Sequence, residues 1–174
     1  MTGPKGNPQA PRRVGVLGKI RRTGRVTEPP DQVDDDVAAA SVSVALRGSL
    51  QLRHVDAGSC NGCELEVIAA FGPVYDAERF GVRLVASPRH ADALLVTGPV
   101  TRNMASPLAK TFEATPAPKV VIALGDCARG CSVLMDGYGV VGAVRDVVPV
   151  DAEVPGCPPD PAAILRVLRS IAGR

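Results

Sequence analysis

Short apolar runs that alternate with helical patterns constrain the fold of this chain more than any other sequence feature. The runs occupy residues 50–55, 82–86, 93–97, 119–124 and 147–150. Helical patterns occupy residues 64–71, 103–112 and 160–171. Strands that alternate with helices form parallel sheets covered by helices on both faces. The chain is therefore predicted to have an α/β fold, with functional loops at the carboxyl ends of its strands.

Prolines and glycines predict where several elements begin and end. Pro107 lies inside a helical pattern and is predicted to interrupt or bend the helix, because its ring removes a backbone donor. Asp160 and Pro161 have the residue types of an N-cap and a first helical position, so the last helix is predicted to begin there. Residues 139–142 are predicted to form a loop or hairpin.

Composition limits the class of protein. The chain has 174 residues, of which 45% are hydrophobic and only 3% aromatic, with no Trp. This size suits one domain whose core consists of Val, Leu, Ile and Ala. Aromatic platforms for base stacking are nearly absent, so nucleic-acid binding is not expected. The start of the sequence does not show the charged, apolar and small-residue regions of a signal peptide in their usual order. No apolar run approaches the roughly 18 residues that a membrane span requires, so an intracellular protein is expected.

The first 45 residues differ from the rest of the chain in composition. They mix Pro and Gly with basic residues between Lys5 and Arg25, followed by acidic residues between Glu28 and Asp36. We predict a flexible N-terminal arm over residues 1–45 and one folded domain over residues 46–174. The arm is either a solvated tail or a segment that docks on a partner subunit or on an anionic membrane face.

Cysteines follow three of the predicted strands. Cys60 and Cys63 form a C-x-x-C pair after the first run, Cys127 follows residues 119–124, and Cys157 follows residues 147–150. A lone C-x-x-C fits a zinc knuckle, a redox pair or two idle thiols. Disulfides are not expected in a reducing compartment, so metal ligation by these four thiols is the favoured hypothesis.

Thiolate ligands suit both zinc and iron–sulfur clusters, so ligand type alone does not separate the two. Structural zinc sites usually take two close pairs of cysteines, whereas this chain has one pair and two separate cysteines. That spacing favours a cubane cluster. Four glycines near the cysteines would let backbone amides approach its sulfides: Gly62, Gly125, Gly130 and Gly156.

Several segments together resemble one known family over roughly residues 50–172. It joins the 20 kDa-type subunit of complex I with the small subunits of membrane-bound group 4 nickel-iron hydrogenases, including formate hydrogenlyase. The resemblance is carried by Cys60-Asn61-Gly62-Cys63 with Glu66, Ser87-Pro88-Arg89-His90-Ala91-Asp92, Gly98-Pro99-Val100-Thr101-Arg102, Gly125-Asp126-Cys127, Val148-Pro149-Val150-Asp151 and Pro155-Gly156-Cys157-Pro158-Pro159.

The resemblance implies a flavodoxin-like doubly wound parallel sheet and one 4Fe-4S cluster. By this likeness the cluster ligands are Cys60, Cys63, Cys127 and Cys157. It also implies that the chain transfers electrons next to a large subunit that holds a nickel-iron centre or a quinone pocket. Ferredoxin-like and membrane subunits would complete the complex, at the cytoplasmic side of the cell membrane.

The spaced pair Cys60 and Cys63 resembles the hydrogenase branch, because complex I members carry adjacent cysteines at the first position. A group 4 nickel-iron hydrogenase or formate hydrogenlyase-like complex is therefore the favoured assignment. Two alternatives stay open. One is a complex I-like NADH-quinone oxidoreductase module, and the other is a zinc-binding interaction subunit without a redox role.

Other polar residues allow more than one interpretation. Cys131 is an extra thiol, interpreted as a non-ligand. Arg89 and His90 resemble a family segment near the cluster but could equally form a surface pair. Glu64 could pass protons, contact the large subunit or stabilise its helix dipole. His54 is predicted to be a hydrogen-bonded structural residue and not a metal ligand.

Overall fold

The structure, a computed structural model, describes Arg21 and residues 48–173. The chain divides into two units, Met1–Asp34 and Asp35–Arg174, and the fold described here belongs to the second. The predicted arm over residues 1–45 lies outside the described residues, apart from Arg21. Its role stays a prediction.

Within the described part of the chain, seven strands form two sheets. They are β1 (Leu50–Asp56), β2 (Val82–Leu84), β3 (Ala93–Thr97), β4 (Val100–Thr101), β5 (Val120–Leu124), β6 (Val140–Gly142) and β7 (Ala152–Val154). The main sheet is parallel, with the order β2-β1-β3-β5-β7, whereas β4 and β6 form a small antiparallel pair. This main-sheet order is that of flavodoxin-like proteins, so the predicted α/β fold is confirmed.

Helices cover both faces of the main sheet. They are α1 (Gly62–Phe71), α2 (Arg102–Ala114), α3 (Asp126–Arg129) and α4 (Pro161–Ala172). One core contains α1, α4 and one side of the sheet, and the other contains side chains of α2, α3 and the opposite side. Each fully buried Leu or Ile in these cores contributes about 1.5–3 kcal/mol relative to exposure. Across residues 48–173, no helix has the length and apolar character needed to cross a bilayer.

The register of the sheet brings the carboxyl ends of four strands to one level. Asp56 lies opposite Thr97, Thr97 lies opposite Leu124, and Leu124 lies opposite Val154. Because these strands are parallel, the chain leaves all four of them at the same edge. The loops that carry the cysteines after β1, β5 and β7 therefore begin side by side.

The predicted strand at residues 147–150 is wrong. This segment is an irregular connection that follows a 3₁₀ turn at Val144–Asp146. Val148 is buried, but Pro149 has no N–H to donate to a sheet ladder. Contact with β5 begins at Asp151, whose N–H donates to the carbonyl of Val121, and the fifth strand of the main sheet is β7. Cys157 therefore follows β7.

Three other predictions differ in detail from the structure. The helix that contains Pro107 continues through it from Arg102 to Ala114. Pro107 is exposed, so water can satisfy the backbone carbonyl that its missing N–H leaves free. The second strand ends at Leu84, two residues earlier than predicted. Residues 140–142 form a strand, but its antiparallel partner is β4, so the hairpin expected within residues 139–142 is replaced by a long-range pair.

Candidate metal centre

The first two cysteines lie in the turn between β1 and α1. The Asp56 carboxylate accepts hydrogen bonds from the N–H groups of Gly58 and Ser59, both at 2.8 Å, and this orders the start of the turn. Asn61, the N-cap of α1, has a φ of 71° in the left-handed region, which reverses the chain between the two cysteines. Cys60 is exposed and Cys63 is buried in the first helical turn.

Cys127 lies in the single helical turn α3, which begins directly after β5. Gly125 joins the two elements with a φ of 87°, a conformation that side chains strongly disfavour. A Cβ atom at Gly125 would lie 2.7 Å from the Sγ of Cys63. The backbone before Cys127 therefore lies directly against the Cys63 thiol, and Cys127 itself is buried.

Cys157 lies in the loop after β7, beside the segment that carries Cys127. The N–H of Asp126 donates to the carbonyl of Gly156 at 2.9 Å, and the N–H of Gly156 donates to the Asp126 carboxylate at 3.0 Å. The residues that precede the two cysteines thus bind each other in both directions. Cys157 is exposed, so two of the four thiols face out of the domain and two face inward.

The electrostatics of Cys63 connect the four predicted ligands. Burial raises the pKa of the Cys63 thiol to about 12. Four neighbours add negative charge that raises this pKa in the same direction: Glu64, Cys127, Cys60 and Cys157. Cys131 is exposed, and its charge acts on Arg129. The structure thus brings the four predicted thiols together, while the ligand set itself stays a prediction.

Glu64 links the cysteine pair to the sheet. Its carboxylate accepts hydrogen bonds from Ser59 Oγ at 2.6 Å and from Thr97 Oγ1. The Thr97 hydroxyl lies 3.0 Å from His54 Nε2, which confirms His54 as a hydrogen-bonded structural residue. Burial lowers the pKa of His54 below its ordinary value of 6.5, and the charges of Glu64 and Asp56 partly offset this effect. Glu64 therefore anchors the turn to β1 and β3.

Arg89 and His90 lie away from the cysteine-bearing edge. They are exposed on a 3₁₀ turn, Pro88–His90, that leads into the amino end of β3. The five residues of β3 separate the two edges of the sheet by roughly 15 Å. The interpretation as a surface pair therefore agrees with the geometry, and a position beside the cysteines does not.

Arg129 lies beside the segments that carry Cys127 and Cys157, and no sequence motif had indicated it. Its Nε donates to Glu153 Oε2 at 2.8 Å, and its Nη1 lies 3.3 Å from Asp126 Oδ1. The hydrogen bond to Glu153 raises the pKa of Arg129 above its ordinary value. The sequence feature that could have identified Arg129 as part of the site is its position two residues after Cys127.

The chemistry of the donor set fits an iron–sulfur cluster. Glycines lie against two of the four thiols, since a Cβ atom at Gly62 would lie 3.5 Å from the Sγ of Cys60 and one at Gly125 would lie 2.7 Å from the Sγ of Cys63. Among residues 48–173, no three His, Cys, Asp or Glu side chains are arranged to hold one metal ion. A cubane cluster presents a different iron atom to each thiolate, so its ligands surround it without converging on one point.

Comparison with known proteins assigns the family. Residues 60–171 match the family described as NADH ubiquinone oxidoreductase, 20 Kd subunit. The chain is 46% identical over 138 residues to formate hydrogenlyase subunit 7 of Escherichia coli, covering 78% of this chain and 54% of the relative. It is 56% identical over 112 residues to the probable membrane-bound hydrogenase subunit mbhJ of Pyrococcus furiosus, covering 64% of this chain and 67% of the relative. The chain thus spans about half the length of the formate hydrogenlyase subunit.

Solved structures agree with this assignment. The membrane-bound sulfane sulfur reductase, an archaeal respiratory membrane complex, contains a chain that matches with a TM-score of 0.64 and 32% identity, over 74% of this chain and 71% of that one. An NAD⁺-reducing [NiFe]-hydrogenase matches in fold, with a TM-score of 0.57 and 20% identity, over 72% of this chain and 93% of that one. The family match covers more than half of the chain and agrees with the resemblance found in its motifs. The chain therefore belongs to the family of the NADH ubiquinone oxidoreductase 20 Kd subunit.

Proposed function

We propose that this chain is the electron-transfer small subunit of a multisubunit oxidoreductase and carries one 4Fe-4S cluster. The proposed ligands are Cys60, Cys63, Cys127 and Cys157. One observation carries the proposal: the backbone before Cys127 lies against the Cys63 thiol at Gly125, where any side chain would occupy the space beside the sulfur. Glycine at that point, in a conformation that other residues rarely adopt, lets the backbone approach the thiols with no side chain between them.

The protein's own residues bind, orient and shield the cluster. When bound, the cluster would accept and donate one electron at a time. Cys63 and Cys127 are buried and would hold its inner side, whereas Cys60 and Cys157 are exposed and would hold its outer side. Electrons would then pass through the outer side, since a short distance to a partner's redox centre requires an uncovered edge.

A large subunit is the proposed partner at this outer side. The helix α1 begins at the cysteine pair, and its Leu65 and Ile68 side chains are 58% and 66% exposed. Residues three apart share one helix face, so these two side chains form an exposed apolar surface on the helix that follows Cys60. A large subunit docked there would cover both the apolar surface and the cluster.

The hydrogenase branch is the favoured assignment for the complex. Both curated relatives described above carry hydrogenase or hydrogenlyase names, at 46% and 56% identity. We therefore propose a large subunit with a nickel-iron centre, together with ferredoxin-like and membrane subunits, at the cytoplasmic side of the membrane. A complex I-like quinone-reducing module is the alternative. The sulfane sulfur reductase at 32% identity illustrates that relatives of this fold serve other reactions.

Anaerobic reconstitution of the full chain with iron and sulfide tests the cofactor. The loaded protein is expected to contain about four iron and four sulfide ions per chain and to have broad brown absorption that fades on reduction. A colourless protein that binds one zinc ion and no sulfide would support the zinc-binding interaction subunit instead. Metal analysis and the absorption spectrum of the same sample separate the two.

Isolation of the native complex through a tag on this chain tests the partner. Nickel in the purified complex, with hydrogen production from a reduced viologen dye, is the expected result. A complex without nickel that reduces a quinone would favour the complex I-like alternative. Two paired C-x-x-C motifs in the co-purified large subunit would support the nickel-iron assignment independently of activity.

A further inference from the structure

The segments that carry Cys127 and Cys157 are joined beyond the end of the sheet. The N–H of Gly125 donates to the carbonyl of Val154 at 2.8 Å, which extends the ladder of β5 and β7 by one step. The next step is the mutual pair of hydrogen bonds between Asp126 and Gly156. One oxygen of Asp126, Oδ1, therefore contacts the backbone immediately before Cys157.

Arg129 adds side-chain contacts to the backbone hydrogen bonds that join the two segments. It lies 3.3 Å from the same Asp126 oxygen and donates to Glu153 on β7 at 2.8 Å. The other Glu153 oxygen lies 3.6 Å from Nη1 of Arg145. Arg129 and Glu153 are 27% and 34% exposed at their side chains, so water screens their interaction only in part. The guanidinium group thus binds one carboxylate beside each cysteine segment.

The turn that carries Cys127 has little stability of its own. The helix α3 contains four residues, and one helical turn is unfavourable without tertiary contacts. Gly130, with a φ of 84°, ends it directly after Arg129. The sheet already pairs β5 with β7 through Ile122 and Leu124, so the strands do not need Arg129 to find each other. The orientation of the turn above them depends on its side contacts.

We propose that Arg129 and Glu153 are positioning residues that hold the Cys127 thiolate at a fixed separation from the Cys157 thiolate. The inference rests on the proposed function, because the separation matters only if both thiolates bind one cluster. A site is held to its working geometry by contacts that lock the ligands' own segments. Arg129 does this through Asp126 and Glu153, whose backbones lead into the two ligands.

The experiment uses the full chain, loaded anaerobically, with Arg129→Gln, Glu153→Gln and the double variant. Release of iron to a chelator is measured for each, together with the reduction potential of the cluster and the electron paramagnetic resonance spectrum of its reduced form. Each single variant is expected to accelerate iron release about three- to tenfold, and the double variant by clearly less than the product of the two single effects, because both single variants remove the contact between Arg129 and Glu153. Arg89→Gln, which removes an exposed arginine at the opposite edge, is the matched control.

The reduction potential and the spectrum together distinguish a positioning role of Arg129 and Glu153 from an effect of their charges alone. Arg129→Gln removes a positive charge and Glu153→Gln a negative one, so a pure charge effect would move the reduction potential in opposite directions. Positioning instead predicts that both variants broaden the spectrum in the same way and that Arg129→Lys recovers part of the parent's behaviour. Two results would overturn the inference while leaving the cluster assignment intact. One is iron release in the double variant that is accelerated by the full product of the two single effects. The other is iron release in the single variants that is no faster than in Arg89→Gln. A parent chain that takes up no iron would overturn both.

Discussion

Gly125 and Cys63, which are distant in the sequence, are in direct contact: a Cβ atom on Gly125 would lie 2.7 Å from the Cys63 sulfur. The φ of Gly125, 87°, also lies in the region that side chains rarely adopt. Two independent constraints therefore require glycine at the junction between β5 and the turn that carries Cys127. The contact makes the site sensitive to a single methyl group.

Gly125→Ala is expected to abolish most cluster binding in the full chain. The methyl group must displace either the Cys63 sulfur or the backbone of the turn, and the strained conformation alone costs about 1–3 kcal/mol. Iron content after reconstitution measures the loss. Gly139→Ala is the matched control, because a Cβ atom there has no neighbour within 4 Å. Full iron loading of Gly125→Ala would contradict the proposed position of the cluster.

Replacement of single cysteines by Ala tests the ligand set. We expect Cys60→Ala, Cys63→Ala, Cys127→Ala and Cys157→Ala each to lose iron or convert the cluster, because each removes one thiolate that binds its own iron atom. Cys131→Ala should keep the parent's iron content, since Cys131 is not among the thiols whose charge acts on Cys63. Iron and sulfide analysis decides the matter, and equal loss from Cys131→Ala would refute this choice of four.

The folded chain without its cluster should lose stability as the pH falls below about 6.5. Burial lowers the pKa of His54 in the folded chain below 6.5, so the unfolded chain binds a proton more readily. The contribution of His54 is fully present above pH 6.5 and is lost as the pH falls toward the folded pKa. Urea unfolding across this range should have a smaller pH slope in His54→Gln than in the parent. His90→Gln, at an exposed position, should keep the parent's slope, and equal slopes in all three would contradict the assignment.

Removal of residues 2–36 tests the arm, which the structure does not describe apart from Arg21. We expect the shortened chain to stay soluble and to load its cluster, since the proposed ligands all lie after residue 59. Its association with the complex or with anionic membranes should weaken at low salt more than at high salt, because salt screens the lost basic residues. Co-purification and vesicle sedimentation at two salt concentrations measure this. Loss of folding on truncation would show that the arm belongs to the domain.

Apolar runs located most of the main sheet because its central strands are buried on both faces. All residues of β3 and β5 are buried, and such strands are apolar throughout. The same criterion failed at residues 147–150, where Val148 is buried within a connection. Apolarity reports burial, whereas a strand also needs a hydrogen-bonding neighbour, and the backbone pairs with β5 only from Asp151 onward.

The sequence by itself located four of the five strands of the main sheet, the five cysteines and the glycines beside them, because these are local features of composition and spacing. Tertiary structure decided which of these residues meet. Sheet register brings Asp56, Thr97, Leu124 and Val154 to one level, so the loops after β1, β5 and β7 converge. The same register places Arg89 at the opposite edge, while Arg129 reaches Glu153 across 24 residues of chain. Contacts between residues so far apart in the sequence depend on how parallel strands align and pack, and no local pattern in the chain encodes them.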